Sequence, residues 1–318
     1  GAGTGRPAPG GPRLRGARSR PAVDPGDWAG PMSSALPAPL VPLIHGVAPG
    51  ASPVLVPQLG VGTYKVGDAE AERVVSEALA LGYRHVDTAQ MYGNEAGVGR
   101  AIAVCGLPRR DLFITSKLNN PNHRRDDALR SFDATMEALG LDVLDLFLVH
   151  WPLAASAGID LVDTWRTMIE ILHSGRVRAI GVSNFQPEHL RRIVGATDVV
   201  PAVNQIELHP WLTQSELRAM HAQMGIVTQS WSPLGRGRLL AEPTVVEIAE
   251  AVGASPAQVI IRWHLQNSLV VIPKSTHRER LAANADVFGI TLDDTQMAAL
   301  NALDQGLRTG SHPDQIQV

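Results

Sequence analysis

Gly82 to Gly99 reads Gly-Tyr-Arg-His-Val-Asp-Thr-Ala-Gln-Met-Tyr-Gly-Asn-Glu-Ala-Gly-Val-Gly, and this stretch decides how the rest of the chain is interpreted. It opens with a run typical of a short strand that ends near Asp87, and Tyr92 follows five residues later. Asn94 and Glu95 then have the pattern of a helix start, with Asn94 as its cap and Glu95 in its first turn. A carboxylate and a phenol are thus expected at a strand-to-helix corner, where barrels of alternating strands and helices build active sites.

Length and composition limit the fold classes and the binding partners that we expect for this chain. Its 318 residues are 44% apolar and 19% charged, which suits one large α/β barrel or two ordinary domains. The net charge is −3 and no basic patch stands out, so we do not expect nucleic acid as a partner. No apolar run approaches the roughly 18 residues that a membrane helix needs. The single cysteine, Cys105, excludes an internal disulfide framework, so we interpret it as a packed core thiol in a cytoplasmic protein.

Residues 1–38 have the composition of a segment outside the fold. They contain 8 Gly and 7 Pro, with five arginines and only two acids. Such a segment buries too little apolar surface to offset its ordering entropy, so we predict a disordered extension. A transit peptide is the alternative, but the Pro and Gly content argues against an amphipathic helix. We favour an upstream or added segment with Met32 as the natural start, followed by one domain over 39–318.

Beyond this extension the chain alternates strand-like and helix-like runs. Two short apolar runs at 41–44 and 53–56 predict a β-hairpin. Eight further runs predict strands: Gly60–Tyr64, Arg84–Thr88, Leu112–Leu118, Leu144–His150, Ala179–Ser183, Ala202–Ile206, Val227–Trp231 and Leu269–Pro273. Several of these runs are apolar almost throughout, as expected for parallel strands covered by helices on both faces.

Helical patterns lie between the strands. The clearest are Ala69–Leu81, Asp126–Leu139 and Leu161–Leu172, and capping boxes are predicted at Thr213–Glu216 and Ser255–Gln258. Two extra helices fit at Pro243–Val252 and Asp293–Leu303. No Gly-x-Gly-x-x-Gly opens a βα unit. The predicted fold is therefore an α/β (β/α)8 TIM barrel with an N-terminal β-hairpin and two extra helices, rather than a two-domain Rossmann enzyme.

In such a barrel, the polar residues at the strand ends face a common pocket. Asp87 and Tyr92 follow the second strand, Lys117 lies in the third and His150 ends the fourth. Each residue taken singly has another interpretation. Lys117 could be a surface lysine, His150 could be a hydrogen-bonded core histidine, and Asp87 could be a helix cap. Their conjunction predicts a proton-donating site, in which Asp87 compensates a buried Lys117. We expect Lys117 to lower the pKa of Tyr92, the general acid, and His150 to bind a carbonyl oxygen.

Since no side chain can supply a hydride, the site needs a cofactor. The amides and hydroxyl of Ser183, Asn184 and Gln205 suit a carboxamide, and Trp231 suits stacking on a flat ring. Lys274, Ser275 and Arg280 form a cluster that suits a phosphate, although an ordinary cationic surface would look the same. A few charge-assisted bonds of roughly 1.5–3 kcal/mol each would favour NADPH over NADH.

From about Val41 to its end, the chain resembles the aldo-keto reductase family. The resemblance is carried by Gly-Tyr-Arg-His-Val-Asp-Thr-Ala at 82–89, Asp-Leu-Phe-Leu-Val-His-Trp-Pro at 145–152, Gly-Val-Ser-Asn-Phe at 181–185 and Ile-Pro-Lys-Ser at 272–275. Its compact loops and short tail are similar to the bacterial branch that includes 2,5-diketo-D-gluconate reductases and methylglyoxal-reducing enzymes. The resemblance implies a (β/α)8 barrel that reduces small carbonyl compounds with NADP(H). We further expect a monomer that holds no metal.

The resemblance also implies a role for each matched residue. The expected catalytic residues are Tyr92, Asp87, Lys117 and His150. The expected cofactor-binding residues are Ser183, Asn184, Gln205, Trp231, Ser232, Leu234, Lys274, Ser275, Arg280 and Asn284. The expected walls of the substrate pocket are Tyr64, Asn119 and Trp151.

Two residues depart from the family pattern. Many members carry Trp where this chain has Asn119, which implies a more polar pocket. Many carry Glu where this chain has Ala283, which implies that the cofactor is held less tightly.

Two other functions compete with the reductase. One is a regulatory module that binds NADPH and turns over slowly or not at all, like the channel-associated β-subunits that share this fold. The other is a metal-dependent isomerase or hydrolase, which would need several His and acidic ligands at the strand ends, where we find only Asp87.

Overall fold

This computed structural model describes residues 1–2, 36–50, 53–153, 155 and 158–316. The chain divides into the units Gly1–Met32 and Ser33–Val318, and the fold described here belongs to the second. The predicted extension over 1–38 falls almost entirely outside the described residues, because 3–35 are among those not described. Its disorder and the domain boundary at 39 therefore stay predictions.

Eight parallel strands form one sheet, and each of them lies where a strand was predicted. Neighbouring strands in the sheet follow the order of the chain from β3 to β10, every pair being parallel. The strands are β3 Val61–Gly62, β4 His85–Asp87, β5 Phe113–Leu118, β6 Leu144–Val149, β7 Val177–Ser183, β8 Val203–Glu207, β9 Val227–Trp231 and β10 Val270–Val271.

Backbone hydrogen bonds connect the first of these strands to the last. Gly60 N donates to Val271 O at 2.9 Å, and Val271 N donates to Gln58 O at 2.8 Å. Gly62 N donates to Pro273 O at 3.2 Å. These bonds join β3 to β10, which is the connection that a closed (β/α)8 barrel requires.

The predicted hairpin is present and packs inside one end of the barrel. It consists of the antiparallel strands β1 Leu40–Leu43 and β2 Val54–Pro57. Leu43 and Val56 pack in one buried cluster with Phe113 and Val203, which are the first residues of β5 and β8. The hairpin therefore covers the end at which the strands begin, and the carboxyl ends of the strands remain for the site.

Ten α-helices surround the sheet in the part of the chain that the structure describes. They are α1 Asp68–Ala80, α2 Glu95–Val104, α3 Arg125–Leu139, α4 Leu161–His173, α5 Pro187–Thr197, α6 Ser215–Met224, α7 Pro243–Val252, α8 Pro256–Gln266, α9 Arg278–Ala285 and α10 Asp294–Asn301. The predicted helices Ala69–Leu81, Asp126–Leu139 and Leu161–Leu172 agree with α1, α3 and α4 to within one residue at each end.

Of the two predicted capping boxes, one is confirmed and one is wrong. Ser255 Oγ accepts a bond from Gln258 N at 3.3 Å, and Gln258 Oε1 accepts one from Ser255 N at 2.9 Å. At the other site α6 begins only at Ser215, and no side chain caps it. Thr213 Oγ1 instead donates to the Asp304 carboxylate, so a distant partner competes successfully for the predicted capping hydroxyl.

No single helix within the described residues is long and apolar enough to cross a membrane. The pair α7 and α8 passes that test together by length and composition, but the two helices meet at an angle of 89°. The same residues contain no cluster of three or more His, Cys, Asp or Glu side chains that could hold a metal ion.

Candidate active site

The four predicted catalytic residues come together at the carboxyl ends of β4, β5 and β6. The centre of the group is Lys117, whose side chain is fully buried. Its Nζ lies 2.5 Å from Asp87 Oδ1, and it also donates to Thr88 O at 2.9 Å and to Tyr92 Oη at 3.3 Å. Lys117 thus joins the carboxylate at the end of β4 to the phenol in the following short 3-10 helix.

The ring of Tyr92 lies between two other aromatic rings. The centroid of His150 is 5.7 Å away in an edge-on arrangement, and that of Tyr64 is 5.2 Å away. The Nδ1 atom of His150 is buried and has no hydrogen-bond partner among the described residues. These contacts hold the phenol hydroxyl, the lysine and the imidazole within one small site.

Burial sets the protonation states of the site. Burial and the negative charge of Asp87 raise the pKa of Tyr92 well above its usual value. The prediction that Lys117 lowers this pKa is therefore wrong, because burial is the largest influence and the charges of Asp87 and Tyr64 also raise the pKa. Burial, and then the charge of Lys117, lower the pKa of His150 well below its usual value. At neutral pH the site presents a protonated phenol and a neutral imidazole.

Lys117 experiences two opposing influences. Burial lowers the pKa of Lys117, whereas the charge of Asp87 and its hydrogen bond raise that pKa. Glu95 also raises the pKa of Lys117, but more weakly, and its attraction alone would remain if Asp87 were removed. Asp87 is thus the main group that keeps the buried amine charged.

The residues expected to hold a carboxamide are hydrogen-bonded to this group. Gln205 Nε2 donates to the second oxygen of Asp87 at 2.7 Å. Ser183 Oγ donates to the backbone oxygen of Gln205 at 2.8 Å. Gln205 therefore orients the carboxylate that Lys117 needs, in addition to its expected contact with a cofactor.

Trp231, the expected stacking residue, is bound to the same network. Its Nε1 donates to Asn184 Oδ1 at 2.8 Å, and Asn184 Nδ2 donates to the backbone oxygen of His150 at 3.0 Å. Asn184 has a positive φ of 64°, which an asparagine adopts more readily than most side chains. One chain of bonds therefore runs from the indole ring to the backbone of His150.

The other expected cofactor-binding residues lie after β9 and β10. Ser232, with a positive φ of 49°, and Leu234 begin the turn that follows β9. Lys274 and Arg280 are exposed, and no ion pair to either is found among the described residues. Ser275 and Asn284 are buried, with Ser275 just before α9 and Asn284 within it. Two exposed cations beside a helix N-terminus suit a dinucleotide phosphate, so these residues fit NADP(H).

The expected walls of the substrate pocket lie beside the catalytic group. Tyr64 is 47% exposed and touches Tyr92. Asn119 N donates to Gln90 Oε1 at 2.8 Å, which fixes the backbone beyond β5. The ring of Trp151 lies 6.4 Å from that of Trp231.

The residues that begin α2 make buried contacts that the sequence did not predict. Asn94 occupies the N-cap position but makes no capping bond, because its Oδ1 already accepts a bond from Thr88 Oγ1 at 2.7 Å, while its Nδ2 donates to the backbone oxygens of Thr63 and Val66 at 2.9 and 2.8 Å. Glu95 accepts a bond from Ser116 Oγ at 2.5 Å, and burial raises its pKa. Glu95 directly follows an apparent helix cap, a position typical of an exposed carboxylate, so the sequence did not indicate that its side chain is buried.

Glu207 was missed because β8 extends one residue beyond the predicted strand end at Ile206. Its side chain is fully buried and accepts bonds from the C-terminal residues Thr309 and Gly310. The criterion that found the other residues, a polar side chain at a strand end, would have found this one with the correct boundary.

Comparison with known proteins agrees with this fold. The Aldo/keto reductase family matches residues 58–305. An Aldo-keto reductase of Mycobacterium sp. (strain KMS) is 48% identical over 276 residues, which cover 87% of this chain and 97% of that protein. Morphine 6-dehydrogenase of Pseudomonas putida is 43% identical over 292 residues, which cover 88% and 96%. The crystal structure of a Gox0644 mutant in complex with NADPH has a TM-score of 0.81 and 44% identity, and covers 88% of this chain and 99% of its own.

The chain therefore belongs to the Aldo/keto reductase family and is an oxidoreductase. The two curated relatives are bacterial and match over nearly their whole length, which fits the compact bacterial branch that the loops and tail indicate.

Proposed function

We propose that this protein reduces the carbonyl group of aldehydes and ketones to an alcohol, with NADPH as cofactor and Tyr92 as general acid. The observation that carries the proposal is the position of the Tyr92 hydroxyl, 3.3 Å from the buried Lys117 ammonium and beside the ring of His150. Because the pKa of Tyr92 is raised, the phenol keeps the proton that it must give. The family match and the NADPH complex of the Gox0644 mutant support the choice of cofactor.

The side chains of the site perform the proton half of the reaction. When bound, NADPH supplies the hydride that forms the new C–H bond at the carbonyl carbon. His150, neutral at physiological pH, donates a hydrogen bond to the carbonyl oxygen and orients it. Tyr92 transfers its hydroxyl proton to that oxygen as negative charge develops there, and a positioned acid of this kind contributes about 10²–10⁴ in rate. The positive charge of Lys117 stabilises the phenolate that remains, and Asp87 keeps Lys117 charged.

The cofactor is assigned to residues in two places. Ser183, Asn184 and Gln205 hold the carboxamide, and Trp231 supports the nicotinamide ring. Along the extended cofactor, Ser232 and Leu234 bind the middle, Lys274, Ser275 and Arg280 bind the 2′-phosphate, and Asn284 binds the adenine. The exposed cations at positions 274 and 280, for which the described part of the chain offers no ion-pair partner, support a preference for NADPH over NADH.

For the substrate we propose small dicarbonyl compounds, such as methylglyoxal or diketo-sugar acids. Tyr64 and Trp151 provide the aromatic walls, and Asn119 adds a polar one. A polar wall suits a second oxygen beside the reacting carbonyl, whereas a wholly aromatic pocket suits large apolar ketones. We infer that the reaction runs towards reduction in a cytosol that keeps NADPH reduced. We also propose a cytoplasmic monomer, a state that size-exclusion chromatography tests.

The test is NADPH consumption by the purified protein with a panel of dicarbonyls, simple aldehydes and bulky ketones. The proposal expects turnover, fastest with methylglyoxal or phenylglyoxal. Tight NADPH binding without turnover on any carbonyl would instead support a regulatory module. Loss of turnover on addition of a chelator would support a metal-dependent enzyme.

A further inference from the structure

The C-terminal tail, defined here as residues 304–316, is fixed to the loop that follows β8. The Asp304 carboxylate accepts a hydrogen bond from Thr213 Oγ1. Gln305 N and Leu307 N both donate to the backbone oxygen of Trp211, at 3.1 and 3.0 Å. The tail therefore approaches the mouth of the barrel along a defined path.

Glu207 binds the next part of the tail. Its Oε1 accepts bonds from both Thr309 N and Thr309 Oγ1, each at 2.6 Å. Gly310 N lies 3.1 and 3.2 Å from the two carboxylate oxygens, and Arg308 Nη1 lies 4.0 Å from Oε2. Bonds to an ionised acceptor are about twice as strong as neutral ones. We call Glu207 and the tail residues 308–310 the tail latch.

The latch places the tail backbone directly against Trp231. A Cβ atom on Gly310 would lie only 2.4 Å from Cη2 of the indole, so a glycine is needed for this approach. The other edge of the indole is held by Asn184, through the 2.8 Å bond to Trp231 Nε1. The Trp231 ring is thus fixed on one edge by the barrel and on the other by the tail. Glu207 and Trp231 are also neighbours in register between β8 and β9.

We propose that Glu207 is a positioning residue, which acts through the tail to set the Trp231 ring that supports the nicotinamide. This inference rests on the proposed function, since it takes Trp231 as the stacking surface for the cofactor. It implies that docking of the tail and binding of NADPH stabilise each other. Such coupling is reciprocal, so NADPH must protect the tail by the same factor by which the docked tail strengthens NADPH binding.

The experiment compares the full-length wild type with Glu207→Gln and Thr309→Val. The dissociation constant of NADPH is measured by fluorescence titration without substrate. Detachment of the tail is measured as the rate of trypsin cleavage after Arg308, followed by mass spectrometry of the C-terminal fragment. Both variants are expected to bind NADPH about tenfold more weakly, a typical size for coupled sites. Both should also be cleaved faster, and NADPH should protect the bond less than in the wild type.

Asp314→Asn is the matched control, because it removes a carboxylate from the same tail. Asp314 lies 3.7 Å from His189 and 3.9 Å from His312; its charge also acts on Arg308, but within the described residues its side chain makes no hydrogen bond to Glu207, Thr309 or Gly310. Its NADPH affinity should equal that of the wild type. A general weakening of the tail would lower the affinity of all three variants equally and would contradict the specific role of Glu207.

Two other results would overturn the inference. One is faster cleavage in Glu207→Gln with unchanged NADPH affinity, which would show that the tail does not act on the cofactor. The other is unchanged cleavage in both variants, which would show that Glu207 does not hold the tail. If Glu207→Gln fails to fold, Thr309→Val carries the same test. The proposed function fails separately, when the wild type binds no NADPH or consumes none with any carbonyl.

Discussion

Replacing Asp87 with asparagine tests the electrostatic centre of the site. Asp87 is 1% exposed and bonds to Lys117 and Gln205 through its two oxygens, at 2.5 and 2.7 Å. Asparagine preserves the size of the side chain but removes the charge that compensates Lys117. Removing one partner of a buried ion pair costs about 3–5 kcal/mol. At about 2 °C for each kcal/mol in a domain of this size, the melting temperature should fall by about 6–10 °C.

This loss should depend on pH in a predictable direction. Because the folded state lowers the pKa of Lys117, the unfolded chain binds more protons below the usual lysine pKa of about 10.4. Stability from this group is therefore fully present above that value and is lost as the pH falls through the folded pKa. In Asp87→Asn the pKa of Lys117 falls further. The destabilisation relative to wild type should thus be largest near pH 7 and smaller at pH 9.5.

Asp145→Asn provides the control for a buried aspartate. Asp145 is also 1% exposed, and it pairs with Arg109 at 2.5 Å and Arg178 at 2.9 Å. Both arginine side chains are about one-third exposed, so water can solvate their charge when the carboxylate is removed. This variant should lose stability equally at pH 7 and pH 9.5 and keep its NADPH-dependent turnover.

Thermal unfolding at the two pH values, together with turnover at pH 7, provides the measurement. We expect Asp87→Asn to lose most of its turnover along with its stability. A fall in melting temperature that is the same at both pH values would refute the explanation through Lys117.

Three further predictions concern the cofactor, the pH profile and the fold. Arg280→Ala should weaken NADPH binding about tenfold to a hundredfold and leave NADH binding unchanged, since one charge-assisted bond contributes about 1.5–3 kcal/mol; parallel titrations with both cofactors measure this. Reduction at saturating NADPH should show no acid limb down to about pH 6, because the pKa of His150 lies well below its usual value and Tyr92, with a raised pKa, stays protonated; a rate that falls as the pH is lowered from about 7.5 to 6 would contradict it. Ser255→Ala should cost about 1 kcal/mol by removing the cap of α8, as urea unfolding would show, and an unchanged midpoint would mean that the cap is dispensable.

The fold was predictable because its signals are local. Several strands of the sheet are apolar almost throughout, and a run such as Leu144–His150 has few alternatives to a strand buried on both faces. The ends of the strands are harder to predict from the sequence, because a strand continues only as far as a neighbouring strand pairs with it. β8 continues to Glu207 because Glu207 pairs with Trp231 of β9. The sequence of β8 alone does not reveal this pairing.

The catalytic group was predictable for a different reason. A barrel brings all its strand ends to one face, so the positions of Asp87, Lys117 and His150 along the chain already imply their proximity. The bonds between the groups do not follow from this rule. Gln205 reaches Asp87 across 118 positions, and Trp231 reaches Asn184 across 47.

The wrong predictions share a physical cause. Thr213 and Asn94 have the local chemistry of helix caps, but each side chain is bound instead by groups distant in the chain. For Tyr92, the charge of Lys117 was visible in the sequence, whereas the extent of desolvation was not. Local patterns fail where burial or a distant partner competes for the same atom.

The most direct test of the central claim removes the proposed acid hydroxyl and nothing else. NADPH consumption with methylglyoxal is measured for the wild type, Tyr92→Phe and Tyr83→Phe. Tyr83 is also buried, but its hydroxyl donates to Leu281 O at 2.9 Å, away from the catalytic group. The account predicts that Tyr92→Phe loses about 10²–10⁴ in kcat while NADPH still binds, and that Tyr83→Phe keeps its kcat. Equal turnover in wild type and Tyr92→Phe would contradict the role of Tyr92 as the acid.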